Sequence, residues 1–163
     1  MMIFALCGSS MSGKTTAAKR MEETGLAKRI VTYTTRTPRE NEVNGIDYHF
    51  VSRGKFKALI LEGFFIEYSL FDGVNFYGAP ANALPQHPND EPHTVILDES
   101  GIKSLRSVRD DVFVIYFDIN NQDNSERCQR DTTEWLGLDP DFTVSSFDEI
   151  ESQLFYWLHG LCG

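Results

Sequence analysis

The fold class predicted from the sequence is α/β, a P-loop three-layer fold with a parallel central sheet and an inserted small β-rich lobe. Three observations predict it. An unbroken apolar run over 2–7 leads straight into a glycine-bounded loop and then a helical stretch, the order of a buried parallel strand feeding a helix. Two more strand-sized apolar runs, 94–98 and Val112–Phe117, alternate with helical patterns further along. Between about 32 and 82 the alternation gives way to several short strand signals, which reads as an insertion rather than a separate domain. The expectation is one domain over 1–163, with core segments 1–31 and 83–163, the lobe at about 32–82 and a short lid at about 121–139.

Each element has its own reason. Residues 2–7 (MIFALC) are apolar throughout, as a strand buried on both faces requires. The helix that follows runs to about Glu23 and stops at Gly25. A second short strand is expected at 29–33. Within the lobe, strands at 47–51, 64–69 and 74–77 accompany a helix near 55–62. The stretch 82–93 (NALPQHPNDEPH) is proline-rich and reads as loop. Helices are expected at 102–109 and 122–135, a weak strand at 142–145 and an amphipathic closing helix at 147–159.

Composition narrows the classes of function. At 163 residues and 41% hydrophobic content, the chain can bury one ordinary core. Its apolar runs are strand-sized, far short of a bilayer span, and no basic flank or cleavage site marks a secretory leader. No membrane partner is expected. The three cysteines, Cys7, Cys128 and Cys162, form no CxxC and no regular framework, which predicts neither disulfides nor zinc and suggests a cytoplasmic setting. A net charge of −9 argues against nucleic acid as a partner. The charge is uneven: residues 1–39 carry seven Lys/Arg against two acids, net +5, while the remaining eight basic and twenty-two acidic residues give −14. A compact anion would be drawn to the first segment.

Gly8-Ser9-Ser10-Met11-Ser12-Gly13-Lys14-Thr15 matches G-x-x-x-x-G-K-[ST], with a strand before it and a helix after it. The glycines let the loop curl so that backbone N–H groups face phosphate oxygens, and the helix N-terminus adds its dipole. Lys14 is expected to reach the β- and γ-phosphates, with the Thr15 hydroxyl placed for Mg²⁺. The motif predicts nucleotide binding without specifying a reaction.

Thr34-Thr35-Arg36-Thr37-Pro38-Arg39 sets two guanidinium groups beside a proline-stiffened turn, a pairing suited to phosphate. Either arginine could equally be a surface charge. Then come Glu42 to Phe50 (EVNGIDYHF), Gly63 to Tyr68 (GFFIEY) and Asn75 to Gly78 (NFYG), in that order. Standing after a P-loop, these motifs resemble the guanylate kinase family over the whole chain, most closely between Gly8 and Gly78. The resemblance implies an ATP site on Gly8–Thr15 and Thr16, and a GMP site on the inserted lobe. Carried across by motif, Arg36, Arg39, Tyr48 and Tyr77 hold the GMP phosphate, while Glu67 and Thr32 read guanine. Asp98, closing the strand over 94–98, helps hold Mg²⁺ directly or through water; a helix-capping aspartate is the competing reading. Arg127 and Arg130 match the arginines that close over ATP and join Lys14 and Arg36 as catalytic groups, or else are helix-surface charges.

The sequence departs from that pattern in places. Ala79 follows the Tyr-Gly pair where the family has a hydroxyl residue. Ser100 stands where it has a second aspartate, and Ser145 where it has asparagine. The region between Arg130 and Phe142 is abbreviated. The expected activity is ATP + (d)GMP ⇌ ADP + (d)GDP with Mg²⁺. The alternatives are a kinase for another or modified (deoxy)nucleoside monophosphate, and a noncatalytic guanylate-kinase-like binding module.

Overall fold

The computed structural model describes residues 2–9, 12–71, 73–87, 90–118 and 139–145, together with Glu149, Ser152 and Tyr156. In chain order its elements are β1 (Ile3–Gly8), α1 (Lys14–Glu23), β2 (Lys28–Arg29), β3 (Tyr33–Thr34), β4 (His49–Phe50), α2 (Arg53–Leu61), β5 (Phe65–Phe71), β6 (Asn75–Pro80), a 3-10 turn (Ala81–Ala83), β7 (His93–Ile96), α3 (Glu99–Val108), β8 (Val112–Phe117) and β9 (Phe142–Val144).

The central sheet has the order β2-β7-β1-β8-β9 with every neighbouring pair parallel. β1 lies at its centre, Ile3 sitting beside both His93 and Val112. Alternate residues of β1 feed two separate cores. Ile3, Ala5 and Cys7 join Ile102 and Leu105 of α3 on one face. Phe4 and Leu6 join Ala17, Ala18 and Met21 of α1 on the other. With both faces covered, every position of the strand must be apolar, which is why its sequence shows no polar alternation. Cys7 is an ordinary part of this core, its thiol donating to the Ile115 carbonyl oxygen at 3.6 Å.

A second, four-stranded sheet has the order β4-β3-β6-β5. β5 and β6 form an antiparallel hairpin whose turn contains Gly73 at φ 70°. Its own small core is aromatic: Phe56 of α2 stacks on Phe65 and Phe76, with ring centroids 4.5 and 5.3 Å away. The Ser52 side chain caps α2 by accepting from Lys55 N–H. On β5 the polar residues Glu67 and Ser69 are buried, whereas Tyr68 and Leu70 are exposed. This is the reverse of an ordinary half-buried strand and points the polar face at something other than solvent.

The strand expected at 29–33 is in fact two strands in different sheets. Ile30 N–H makes the last bond to β7, donating to Thr94 O at 2.8 Å, and Thr32 O already accepts from His49 N–H on the lobe side at 2.9 Å. The chain changes sheets between these residues. Helix α3 starts three residues earlier than expected because Asp98 caps it, accepting from Gly101 N–H at 2.7 Å. The expected helix over 122–135 lies outside the described residues. Of the expected closing helix, Glu149, Ser152 and Tyr156 are helical and exposed. No helix among the described residues is long and apolar enough to cross a membrane.

Candidate functional site

β1 delivers Gly8 to the carboxyl end of the central sheet at φ 134°. A Cβ there would lie 2.6 Å from the Phe117 carbonyl oxygen, so the strand end can approach β8 this closely only as glycine. Gly13, at φ 90°, turns the chain into α1. The Lys14 ammonium folds back over the loop, donating to Gly8 O at 2.8 Å, Ser9 O at 2.5 Å and Ser12 Oγ at 3.1 Å. No acidic side chain occupies the first turn of α1, so its positive dipole end is not offset locally. Ser10 and Met11 lie outside the described residues, and Thr16 is exposed.

The lobe supplies a second cationic group. Arg36 donates to both carboxylate oxygens of Glu42, at 2.9 and 2.7 Å, and to Thr37 O at 2.8 Å. Its guanidinium also stacks over Tyr48 and Phe50, 5.5 and 5.7 Å from the ring centroids. Glu42 further accepts from the Arg39 N–H at 2.7 Å. The fork from Arg36 holds the Glu42 carboxyl below the usual carboxylate range, and Glu42 in turn raises the pKa of Arg36. Tyr48 meets Tyr77 edge to face at 6.1 Å, and burial raises the pKa of its hydroxyl.

At the other end stands Glu67, buried in β5. Its Oε1 accepts from Ala79 N–H at 2.9 Å. A methyl on Gly101 would lie 2.7 Å from Glu67 Oε2 and 3.3 Å from Asp98 Oδ1, so the two carboxyl groups border one spot at the start of α3. Burial first, and the Asp98 charge second, push Glu67 up to about 8 against the pull of the Ala79 N–H. Asp98 caps α3 with Oδ1 and accepts from Ser69 Oγ on Oδ2 at 2.5 Å.

These groups border a single cleft of about 180 Å³. Gly8, Lys14 and Thr15 stand on the core side, Arg36, Arg39, Tyr48 and Tyr77 on the lobe side, and Thr32, Glu67 and Asp98 at the junction. Arg127 and Arg130 lie outside the described residues. The lining residues that sequence reasoning did not single out include Glu42, Ser69 and Phe71. Ser69 and Phe71 follow Glu67 at strand spacing, and that period is the signal that could have found them. Glu42, beside an Asn-Gly turn, carries no such signal.

The arrangement joins an anion-binding loop to an arginine-tyrosine cage across one cleft, which suits two phosphate-bearing ligands. A family model described as Guanylate kinase matches residues 1–136. The chain belongs to the guanylate kinase family. Its relatives include the guanylate kinases of Neisseria meningitidis serogroup A (strain Z2491) and serogroup B (strain MC58), each 41% identical over 112 residues. Those alignments cover 66% of this chain and 52% of the relative, so the chain spans about half the length of the curated relatives it matches. The crystal structure of guanylate kinase from Anaplasma phagocytophilum superposes with a TM-score of 0.76 at 25% identity, covering 98% of this guanylate kinase-family chain and 84% of the other.

Proposed function

We propose that this chain transfers the γ-phosphoryl group of ATP to GMP or dGMP. The observation that carries the reading is the shared cleft, bordered at once by the P-loop and by the Arg36–Tyr48–Tyr77 cage. In this reading ATP lies along Gly8–Thr15 and the core, and the monophosphate lies against the lobe formed by β3 to β6. An acceptor phosphate oxygen forms the new P–O bond as the bond to the β-phosphate bridging oxygen breaks. The acceptor is already anionic, so no strong base is required, and the chain's work is positioning and charge neutralisation.

Lys14 moves its donors from the loop carbonyls to the β- and γ-phosphates. Arg36, preset by Glu42, and Arg39 grip the acceptor phosphate, assisted by the hydroxyls of Tyr48 and Tyr77. Glu67 accepts from guanine N1–H and the exocyclic amine, whereas adenine presents an acceptor at N1. Thr32 completes the base pocket. Thr15 and Asp98 are hard oxygen donors bordering the cleft, the type Mg²⁺ prefers, and they would hold it directly or through water. Bound there, Mg²⁺ would neutralise charge on the transferring group. Arg127 and Arg130 are proposed to close over ATP. The nucleotides are the proposed partners, with no nucleic acid, and the setting is proposed as cytoplasmic.

A coupled assay with GMP, dGMP, AMP, CMP and UMP tests the reading. GMP or dGMP is expected to be the best acceptor, and Lys14→Ala is expected to abolish transfer. A different best acceptor would leave a kinase with another base specificity. No transfer to any monophosphate would favour the binding-module alternative.

A further inference from the structure

Ser69 occupies an unusual position for a small hydroxyl residue. It is buried, borders the cleft, and lies on the same face of β5 as Glu67, one strand period further on. Its proton is committed: Ser69 Oγ donates to Asp98 Oδ2 at 2.5 Å, and Asp98 is itself fixed by accepting from Gly101 N–H at the start of α3. A hydroxyl whose hydrogen is held in this way presents only lone pairs to the cleft. Two nearby positions offer no substitute. Ala79 contributes a backbone N–H, already given to Glu67, and Ser100 is exposed on α3.

We propose that Ser69, oriented by Asp98, is a specificity-determining residue that accepts from the exocyclic amine of the acceptor base. The inference rests on the guanine reading given above. Guanine carries three N–H bonds along one edge, one at N1 and two on the exocyclic amine. Glu67 addresses N1–H and the nearer amine hydrogen, leaving the outer amine hydrogen to find an acceptor or lose one it had in water. The Ser69 oxygen supplies that acceptor. Asp98 acts through Ser69 here, as a positioning residue.

IMP provides the discriminating probe, because it keeps N1–H and the 6-oxygen but lacks the amine. Ser69→Ala is expected to lower kcat/KM for GMP on the order of three- to tenfold, mainly through KM, as fits loss of one neutral hydrogen bond. The value for IMP should hardly change. Ser69→Cys, which keeps the shape but weakens the acceptor, should reproduce the loss and serves if the alanine variant folds poorly. Calorimetric titration of the unmodified chain and its variants with GMP and IMP should show the same contrast without turnover. A structural effect relayed through Asp98 would lower both substrates alike, and an unchanged GMP/IMP ratio in a folded variant overturns the proposal. If the unmodified chain prefers AMP or a pyrimidine monophosphate to GMP, the guanine reading itself fails, a separate result visible before any variant is made.

Discussion

Glu67 sits in a strand flanked by Phe65, Ile66 and Tyr68, accepts one backbone N–H, and has no cationic partner among the described residues. Such a carboxyl keeps its proton well into the neutral range, here to about 8 from an ordinary 4.5. The folded chain therefore binds more protons than the unfolded chain between those two values, and this group makes stability fall as pH rises through that window. Glu67→Gln should flatten that part of a stability–pH curve measured by thermal denaturation. Binding of guanine at the proposed site is expected to show the opposite trend. Its two donors require the ionised carboxylate, so KM for GMP is expected to fall as pH rises from about 7 to about 9, with the bend near the free-site pKa. Tyr48, whose hydroxyl burial pushes upward, and His49, whose imidazole burial pushes downward, do not account for a bend there. If KM for GMP is flat across that interval, Glu67 does not read the base as a carboxylate.

At the scale of elements, Gly8 is the tightest joint between sheet and loop. A side chain would meet the Phe117 carbonyl oxygen at 2.6 Å and would be forced to a left-handed φ. Gly8→Ala is expected to destabilise by about 1–3 kcal/mol and to shift the loop enough to weaken ATP binding, visible as a lower Tm and a raised Kd for ATP. A variant with unchanged Tm would mean that β8 yields freely. The same scale shows which parts of the fold were legible. β8 was expected at its observed bounds, Val112–Phe117, because a strand buried on both faces leaves an apolar run with sharp ends. The residues 29–33 were not separable into two strands, because strand propensity is silent about which sheet a residue joins. Of the site, the P-loop and the arginine–tyrosine motifs were legible as order along the chain. The grip of Glu42 on Arg36 and of Asp98 on Ser69 was not, because both depend on contacts made only once the chain folds: loop packing in one case, residues far apart in sequence in the other.

For the whole molecule, the question is what fixes one sheet against the other. α3 packs on β5, and two links tie the core to the loop at 43–48. Lys19 of α1 pairs with Asp47 at 2.6 Å, and the Arg29 guanidinium donates to Ile46 O. Asp47 also accepts from Val43 N–H at 2.8 Å. Burial opposes ionisation of Asp47, but the bonds from Lys19 and Val43 outweigh it and depress its pKa below 3.8. Its contribution to stability is thus present above that value and lost as pH falls through the folded pKa. Asp47→Ala strands the Val43 N–H and releases Lys19, at a cost of about 1–3 kcal/mol. Because Tyr48 is the next residue, the KM for the monophosphate should rise while ATP affinity holds. A fall in Tm with no change in that KM would restrict the link to a structural role.

The central position of β1 also sets a timetable for synthesis. Strand β1 hydrogen-bonds to β7 and β8, with Ile3 paired to His93 and Val112, so neither side of it can be closed while the ribosome is still completing the segment between. At roughly 5–20 residues per second, that wait lasts about 5–20 seconds, during which the apolar strand stays uncovered. The β5–β6 hairpin needs only its own turn at Gly73 and can form during that interval. The lobe is then positioned to be ordered before the nucleotide loop, and nascent chains halted before Val112 are expected to be the ones that engage chaperones.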